Sequence, residues 1–169
     1  MRTTGATFEE LRDKLDDMTS IYADVYKLIF TADSPSDALV AMNLIEYAKS
    51  RFLNVVIHAM GELGEPSRIL GSVRGNAWTY LALDGEAPTA SGQITLSEAK
   101  NVYFLHEKSM QISVYGLLGY PTRQSRGKYL HNALYKLLPN SNSLLYLNFP
   151  TPEAKQFWSD WRESLSGLS

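Results

Sequence analysis

Residues 23–60 read ADVYKLIFTADSPSDALVAMNLIEYAKSRFLNVVIHAM. The runs ADVYKLIF (23–30) and LNVVIHAM (53–60) have the β-branched and aromatic content of buried strands. Between them, Ser34 is a candidate helix N-cap and Pro35 suits a first helical position. Leu39, Met42, Leu44 and Ile45 then recur at helical spacing to about Ser50. Strand, helix and strand in this order form a βαβ unit with parallel strands. Lys27 breaks the pattern of the first strand, because a lysine is almost never fully buried unless its charge is compensated.

The alternation continues on both sides. Upstream, Thr7 and Glu10 have capping-box spacing, and Phe8, Leu11, Leu15 and Met18 follow at helical intervals. Downstream, the turn GELGEPS (61–67) leads into a short helix around Arg68 to Leu70. A third strand, NAWTYLAL (76–83), an irregular loop, DGEAPTASGQ (84–93), and a helix from about Thr95 to Leu105 come next. This β-α-β-α-β-α order fits a doubly wound sheet and a (β/α)8 barrel equally. Past residue 110 a second, smaller α/β unit is expected. It has a strand QISVYGLLG (111–119), a helix KYLHNALYKLL (128–138), a strand LLYLNF (144–149) and a helix from Pro152 to about Ser164.

The chain has 169 residues, 44% hydrophobic and 20% charged, with a net charge of −2. These are the proportions of a globular protein with no basic stripe for nucleic acid. No apolar run reaches the roughly 18 residues of a membrane span. The absence of cysteine excludes disulfides and thiolate metal sites, and no His or carboxylate spacing suggests a metal. Neither glycine-rich phosphate motif, GxGxxG or GxxxxGK[ST], occurs. These features fit a cytoplasmic protein.

Three features carry candidate chemistry. Lys27 shares a strand face with Val25 and Ile29. A desolvated lysine there would be an amine nucleophile for a carbonyl substrate, and the bland alternative is a lysine on the open face of an edge strand. Arg68 follows a turn at the carboxyl end of a parallel strand, where α/β proteins bind ligands. Its fork suits a carboxylate, or else a surface ion pair. The loop APTASGQ (87–93) could carry Thr89 and Gln93 onto a ligand as a lid, or be ordinary surface. His58 reads as a core histidine, His106 as surface and His131 as structural. Trp78, Trp158 and Trp161 read as packing residues.

Together these segments resemble the C-terminal section of type I 3-dehydroquinate dehydratase. That family's Met-Gly-x-x-Gly-x-x-Ser-Arg-Ile segment appears as Met60 to Ile69. Its Gly-Ser-x-x-Thr-Phe strand appears as Gly75-Asn76-Ala77-Trp78-Thr79-Tyr80, and its Ser-Ala-Pro-Gly-Gln loop as Thr89-Ala90-Ser91-Gly92-Gln93. ADVYKLIF resembles the strand that bears the family's Schiff-base lysine. The resemblance covers about residues 1–102. It implies the C-terminal part of a (β/α)8 barrel and a shikimate-pathway lyase that dehydrates 3-dehydroquinate to 3-dehydroshikimate. Lys27 would form the imine, Arg68 would hold the substrate carboxylate, Thr89 and Gln93 would close over it, and Met60 would contact it. The departures are Thr89 for serine, Ser91 for proline and Asn76 for serine.

Residues 111–169, after a linker at 103–110, resemble the start of a shikimate dehydrogenase substrate-binding domain. Gly119, Pro121, Ser125, His131 and Asn132 match its Gly-x-Pro-x-x-x-Ser-x-Ser-Pro-x-x-His-Asn pattern. Gly127 stands where a second substrate-binding serine belongs, and Lys128 where a proline does, so Ser125 is the remaining contact. Gly167-Leu168-Ser169 resembles the segment that leads to the dehydrogenase's catalytic lysine. The order of the two units is that of fused dehydratase–dehydrogenase enzymes.

The resemblance further implies no cofactor, since the NADP domain is not among these residues. The family's catalytic histidine would lie on a strand before Thr7, so a complementary chain or self-association is expected to complete the barrel. Localisation would be cytoplasmic, or plastid for a plant-type source. The second reading is an inactive fragment serving as an interaction or small-molecule-binding module.

Overall fold

The computed structural model describes residues 6–169. The first five residues of the expected 1–102 segment lie outside the described residues. Helix α1 (Phe8–Met18) starts where the sequence places it. The Thr7 N–H donates to the Glu10 carboxylate at 2.9 Å, and the Glu10 N–H donates back to the Thr7 hydroxyl at 3.3 Å. This reciprocal pair satisfies two donors that a helix start otherwise leaves open.

Strand β1 (Tyr26–Thr31), helix α2 (Ser36–Ser50), strand β2 (Val55–Met60) and helix α3 (Glu65–Arg74) then follow in order. The two strands are parallel, with Lys27 opposite Val56 and Ile29 opposite His58. Tyr26, Leu28 and Phe30 are buried on one face of β1, while Lys27 is exposed on the other. Helix α2 buries Ala38, Ala41, Met42, Leu44, Ile45 and Ala48. Its start differs from the expected one. Ser34 does not cap it; the Asp37 carboxylate instead accepts from the Asp33 and Ser34 N–H groups, at 2.7 and 3.0 Å. An acidic first-turn side chain thus reaches back to the two amides that precede the helix, as the acidic arm of a capping box does.

The third strand expected at 76–83 is not a continuous strand. Its start makes one parallel bridge, Asn76 to Val55, and the Ala77 N–H donates to Val55 O at 2.8 Å. Beyond that, the side chain of Asn76 takes over. Its Oδ1 accepts from the Ile57 N–H and its Nδ2 donates to Ile57 O, both at 2.8 Å. An amide has the donor and acceptor of a peptide unit, so it saturates the edge of β2 without a further strand residue.

The chain forms two compact units. One lies within Met1–Tyr80 and also takes in Ala90–Gly92; the other comprises Leu81–Thr89 and Gln93–Ser169. These units follow contacts in space, whereas the 1–102 and 111–169 segments follow sequence resemblance. In the second unit Ala82 bridges Thr95 in parallel. The helix expected over 95–105 is a π-helical turn, Glu98–Val102, followed by a 3-10 turn, Leu105–Glu107. Phe104, at φ 52°, separates them and breaks the helical path. Residues of the expected linker are anchored: Lys108 Nζ donates to the Ser141 and Leu144 carbonyls at 2.8 and 2.7 Å.

Strand β3 (Ser113–Gly119) sits between β4 (Leu144–Pro150) and a short β5 (Gly167–Leu168), all parallel. Helix α4 (Gly127–Tyr135) and helix α5 (Ala154–Trp161) cover this sheet's connections. Phe149, Phe157 and Trp161 form a buried aromatic cluster with centroid separations of 5.0 to 5.7 Å. Trp161 is therefore a packing residue, whereas Trp78 and Trp158 are exposed, contrary to expectation. Asn132 on α4 repeats the device of Asn76. Its amide accepts from the Tyr146 N–H and donates to Tyr146 O, both at 2.9 Å, on the outer edge of β4.

Asn132→Ala should cost about 3 kcal/mol, because it strands a buried N–H and C=O of Tyr146. Urea unfolding followed by tryptophan fluorescence reads the loss. A cost under about 1 kcal/mol would show that the edge is satisfied in another way.

Candidate functional site

Neighbouring side chains in a parallel pair point to the same side, so the register puts Lys27, Ile29 and Thr31 on one face with Val56, His58 and Met60. This is the face opposite the buried side chains of β1. Lys27 is not the desolvated lysine that one sequence reading anticipates. It is exposed, although Val56 and His58 on the same face are buried, and its amine meets an aromatic ring instead. Lys27 Nζ donates to Tyr80 Oη at 3.3 Å and stands 4.3 Å from the ring centroid. Trp78 first, and then Lys27, lower the tyrosine's pKa.

Arg68 is placed by α3. Gly64 lies where a Cβ would sit 2.5 Å from Ala59 O, so only glycine lets the helix start this close to the end of β2. Ser67 then accepts from the Ala59 N–H at 2.9 Å and donates to Gly64 O at 2.6 Å. The helix is thereby pinned to the strand, and Arg68 comes out only 3% exposed. Its Nη2 donates to Ser91 O at 3.2 Å, while Nε is buried with no hydrogen-bond partner among the described residues. Burial lowers the Arg68 pKa, and Glu65 partly offsets that effect. Arg68 is thus not part of a surface ion pair. A buried guanidinium with an unused donor has the chemistry to pair with an oxyanion.

His58 is buried, as the sequence suggests, and it is neutral. Burial, then the charges of Arg68 and Lys27, push its pKa down to about 3. Both cations therefore act on the same patch of the sheet.

The segment Ala90–Gly92 belongs to this unit. Ser91 O accepts from the Gly61 N–H at 3.4 Å as well as from Arg68. Gly92, at φ 77°, would bring a Cβ within 2.3 Å of Gly61 O, so glycine is required on both counts. Thr89 and Gln93 lie in the other unit, where the Thr89 hydroxyl donates to Gln93 Oε1 at 3.1 Å. Ser125 also lies there; its Oγ accepts from the Gly127 N–H at 3.2 Å and serves the start of α4. A Cβ on Gly127 would come 3.3 Å from both Ser125 Oγ and Tyr146 Cε1, tighter than ordinary van der Waals contact. His131 stacks on Tyr146 at 4.2 Å and is structural. His106 is exposed.

Among the described residues, no group of three His, Asp or Glu is placed to hold a metal, and no helix is long and apolar enough to cross a membrane. Tyr80 is the site residue that the strand pattern hides. Its only sequence signal is a tyrosine where the dehydratase motif has phenylalanine.

Two outcomes follow from this geometry. Unfolded His58 ionises near 6.5, so the unfolded chain takes up the proton first as pH falls. Native stability therefore drops from pH 6.5 downward, with about 2 kcal/mol lost through His58 by pH 5. His58→Gln should show a smaller drop in melting temperature between pH 7 and 5; an equal drop would place the acid sensitivity elsewhere. Gly92→Ala should push Ser91 O away from Gly61 and Arg68, which faster hydrogen exchange at the Gly61 amide would report. Unchanged protection there would mean the segment tolerates the methyl group.

Residues 3–110 match the family model described as "Type I 3-dehydroquinase". A 3-dehydroquinate dehydratase of Desulfotalea psychrophila is 38% identical over 98 residues, covering 58% of this chain and 43% of that protein. The Shikimate biosynthesis protein AroDE of Chlamydia pneumoniae is 34% identical over 169 residues, covering 93% of this chain and 34% of that protein. Among solved structures, the 3-dehydroquinate dehydratase from Geobacillus kaustophilus aligns with a TM-score of 0.52 and 27% identity, over 59% of this chain and 39% of that one. The chain thus spans less than half the length of each of these relatives. The family match covers more than half of the chain, on the parallel α/β fold and the motifs that position Lys27 and Arg68, and the chain belongs to the type I 3-dehydroquinase family.

Proposed function

We propose that the chain carries the Schiff-base part of a lyase that converts 3-dehydroquinate to 3-dehydroshikimate, within the C-terminal portion of a (β/α)8 barrel. The observation that carries this reading is the single sheet face that holds Lys27 and His58, on which the Lys27 and Arg68 charges both act, inside a segment of this family. The Lys27 amine adds to the substrate ketone and loses water to give an iminium. The iminium draws electrons from the adjacent carbon, so its C–H loses a proton and the neighbouring hydroxyl leaves as water. Arg68, with its unused Nε, binds the substrate carboxylate, a charge-assisted contact. Met60, on the Lys27 face, lines the ring of the substrate. Thr89 and Gln93 exchange their mutual bond for bonds to the substrate.

His58, held neutral, donates or accepts without charge and is not the proton shuttle in this reading. β1 pairs only with β2 among the described residues, so a complementary chain or a second copy supplies the next strand. Residues 111–169 act as part of a substrate-binding domain of shikimate dehydrogenase type, with Ser125 as its contact. Its support is the similarity to the Chlamydia protein over 93% of the chain. No cofactor enters the lyase chemistry, and the reaction takes place in the cytoplasm.

Sodium borohydride with 3-dehydroquinate tests the lyase reading. The expected product is one reduced adduct, mapped by peptide mass spectrometry to Lys27 and absent in Lys27→Met. Arg68→Gln should raise the 3-dehydroquinate concentration needed for half-maximal trapping by about tenfold or more, the loss of a charge-assisted pair. An adduct spread over surface lysines, or none, would overturn the assignment.

A further inference from the structure

We infer that Tyr80 is a catalytic residue for imine formation at Lys27, donating the proton that removes the carbinolamine hydroxyl and remaining as the phenolate partner of the iminium. This rests on Lys27 being the imine-forming amine. Three observations point to it. Tyr80 Oη is 3.3 Å from the nitrogen that would react, inside the hydrogen-bond reach required of an acid or base. The amine also lies 4.3 Å from the ring centroid, so the ring holds the cationic forms of that nitrogen over itself. Finally, Trp78 and the hydrogen-bonded Lys27 lower the pKa of the Tyr80 hydroxyl, which makes the phenol a better proton donor.

The step balances. The neutral Lys27 amine adds to the ketone carbon, forming the N–C bond, and one N–H proton moves to the former carbonyl oxygen. Tyr80 gives its phenolic proton to that hydroxyl. The C–O bond breaks, its electron pair leaves with water, and the nitrogen lone pair forms the C=N bond. A neutral amine, ketone and phenol have become an iminium, a phenolate and one water. The iminium and phenolate lie side by side, so each stabilises the charge of the other. Tyr80 regains its proton from solvent through its exposed edge. A phenylalanine, as in the family motif, would keep the ring under the amine and lose this step.

The test measures the rate of borohydride-trapped adduct at Lys27 in the full chain and in Tyr80→Phe, between pH 6 and 10. The probes are hydroxyacetone, which needs no shaped pocket, and 3-dehydroquinate. Tyr80→Phe should slow trapping by hydroxyacetone at least about tenfold near neutral pH. The parent rate should fall on the alkaline side as Tyr80 loses its proton, below the ordinary tyrosine range, and this fall should be absent in Tyr80→Phe. Equal rates and equal profiles with hydroxyacetone would overturn the role of Tyr80, as would no Lys27 adduct with either ketone. Trapping by hydroxyacetone with the expected Tyr80 dependence, but none by 3-dehydroquinate, would uphold Tyr80 and instead sink the substrate assignment.

Discussion

The parallel register of β1 and β2 is the constraint on which the site depends. With Ile29 opposite His58, the odd-numbered residues of β1 and the even-numbered residues of β2 share one face. A slip of one residue would carry Lys27 into the buried layer now filled by Tyr26, Leu28 and Phe30 and bring those aromatic and aliphatic side chains out. The burial of that layer and the helix that covers it hold the register. The alternative would expose apolar side chains that stabilise the unit by roughly 1.5–3 kcal/mol each.

The second constraint is local and electrostatic. Two cations act on one neutral histidine, and the more buried cation keeps a donor unused. Placing Arg68 there is costly by itself, since burial disfavours its charge. The fold tolerates that cost because Gly64 and Ser67 fix α3 against β2, and because Ser91 O takes one of the guanidinium donors. Backbone contacts thus present a charge that surface placement would leave solvated and mobile. Lys27 needs no such support: it is exposed, and Tyr80 sets its surroundings.

Side-chain amides close the open edges of strands. Asn76 and Asn132 each pair with both polar groups of one strand residue, Ile57 and Tyr146. The same device explains why 76–83 reads as a strand and yet is not a continuous one. Its apolar and aromatic content satisfies the pattern for a strand, but the pairing partner is met by a side chain at the first position. Propensity describes the residues and not the partner available to them. The helix at 95–105 has a related lesson. Thr95 and Glu98 exchange bonds at 3.0 and 3.1 Å as a capping pair should, so the start was legible, while the wide π-turn and the left-handed Phe104 were not.

By itself the sequence determined the order of strands and helices through residue 75, the capping box at Thr7, the burial of His58 and the identity of Lys27 and Arg68 as the residues worth naming. These are properties of periodicity, of local hydrogen bonding and of short motifs, all written along the chain. Only the tertiary structure decided that Lys27 is exposed, that Arg68 is buried with a donor to spare, that Asp37 rather than Ser34 serves the start of α2, and that Tyr80 meets the Lys27 amine. Each of these depends on which groups approach across long stretches of chain. Burial, desolvation and proton affinity are set by that approach and have no counterpart in the spacing of residues.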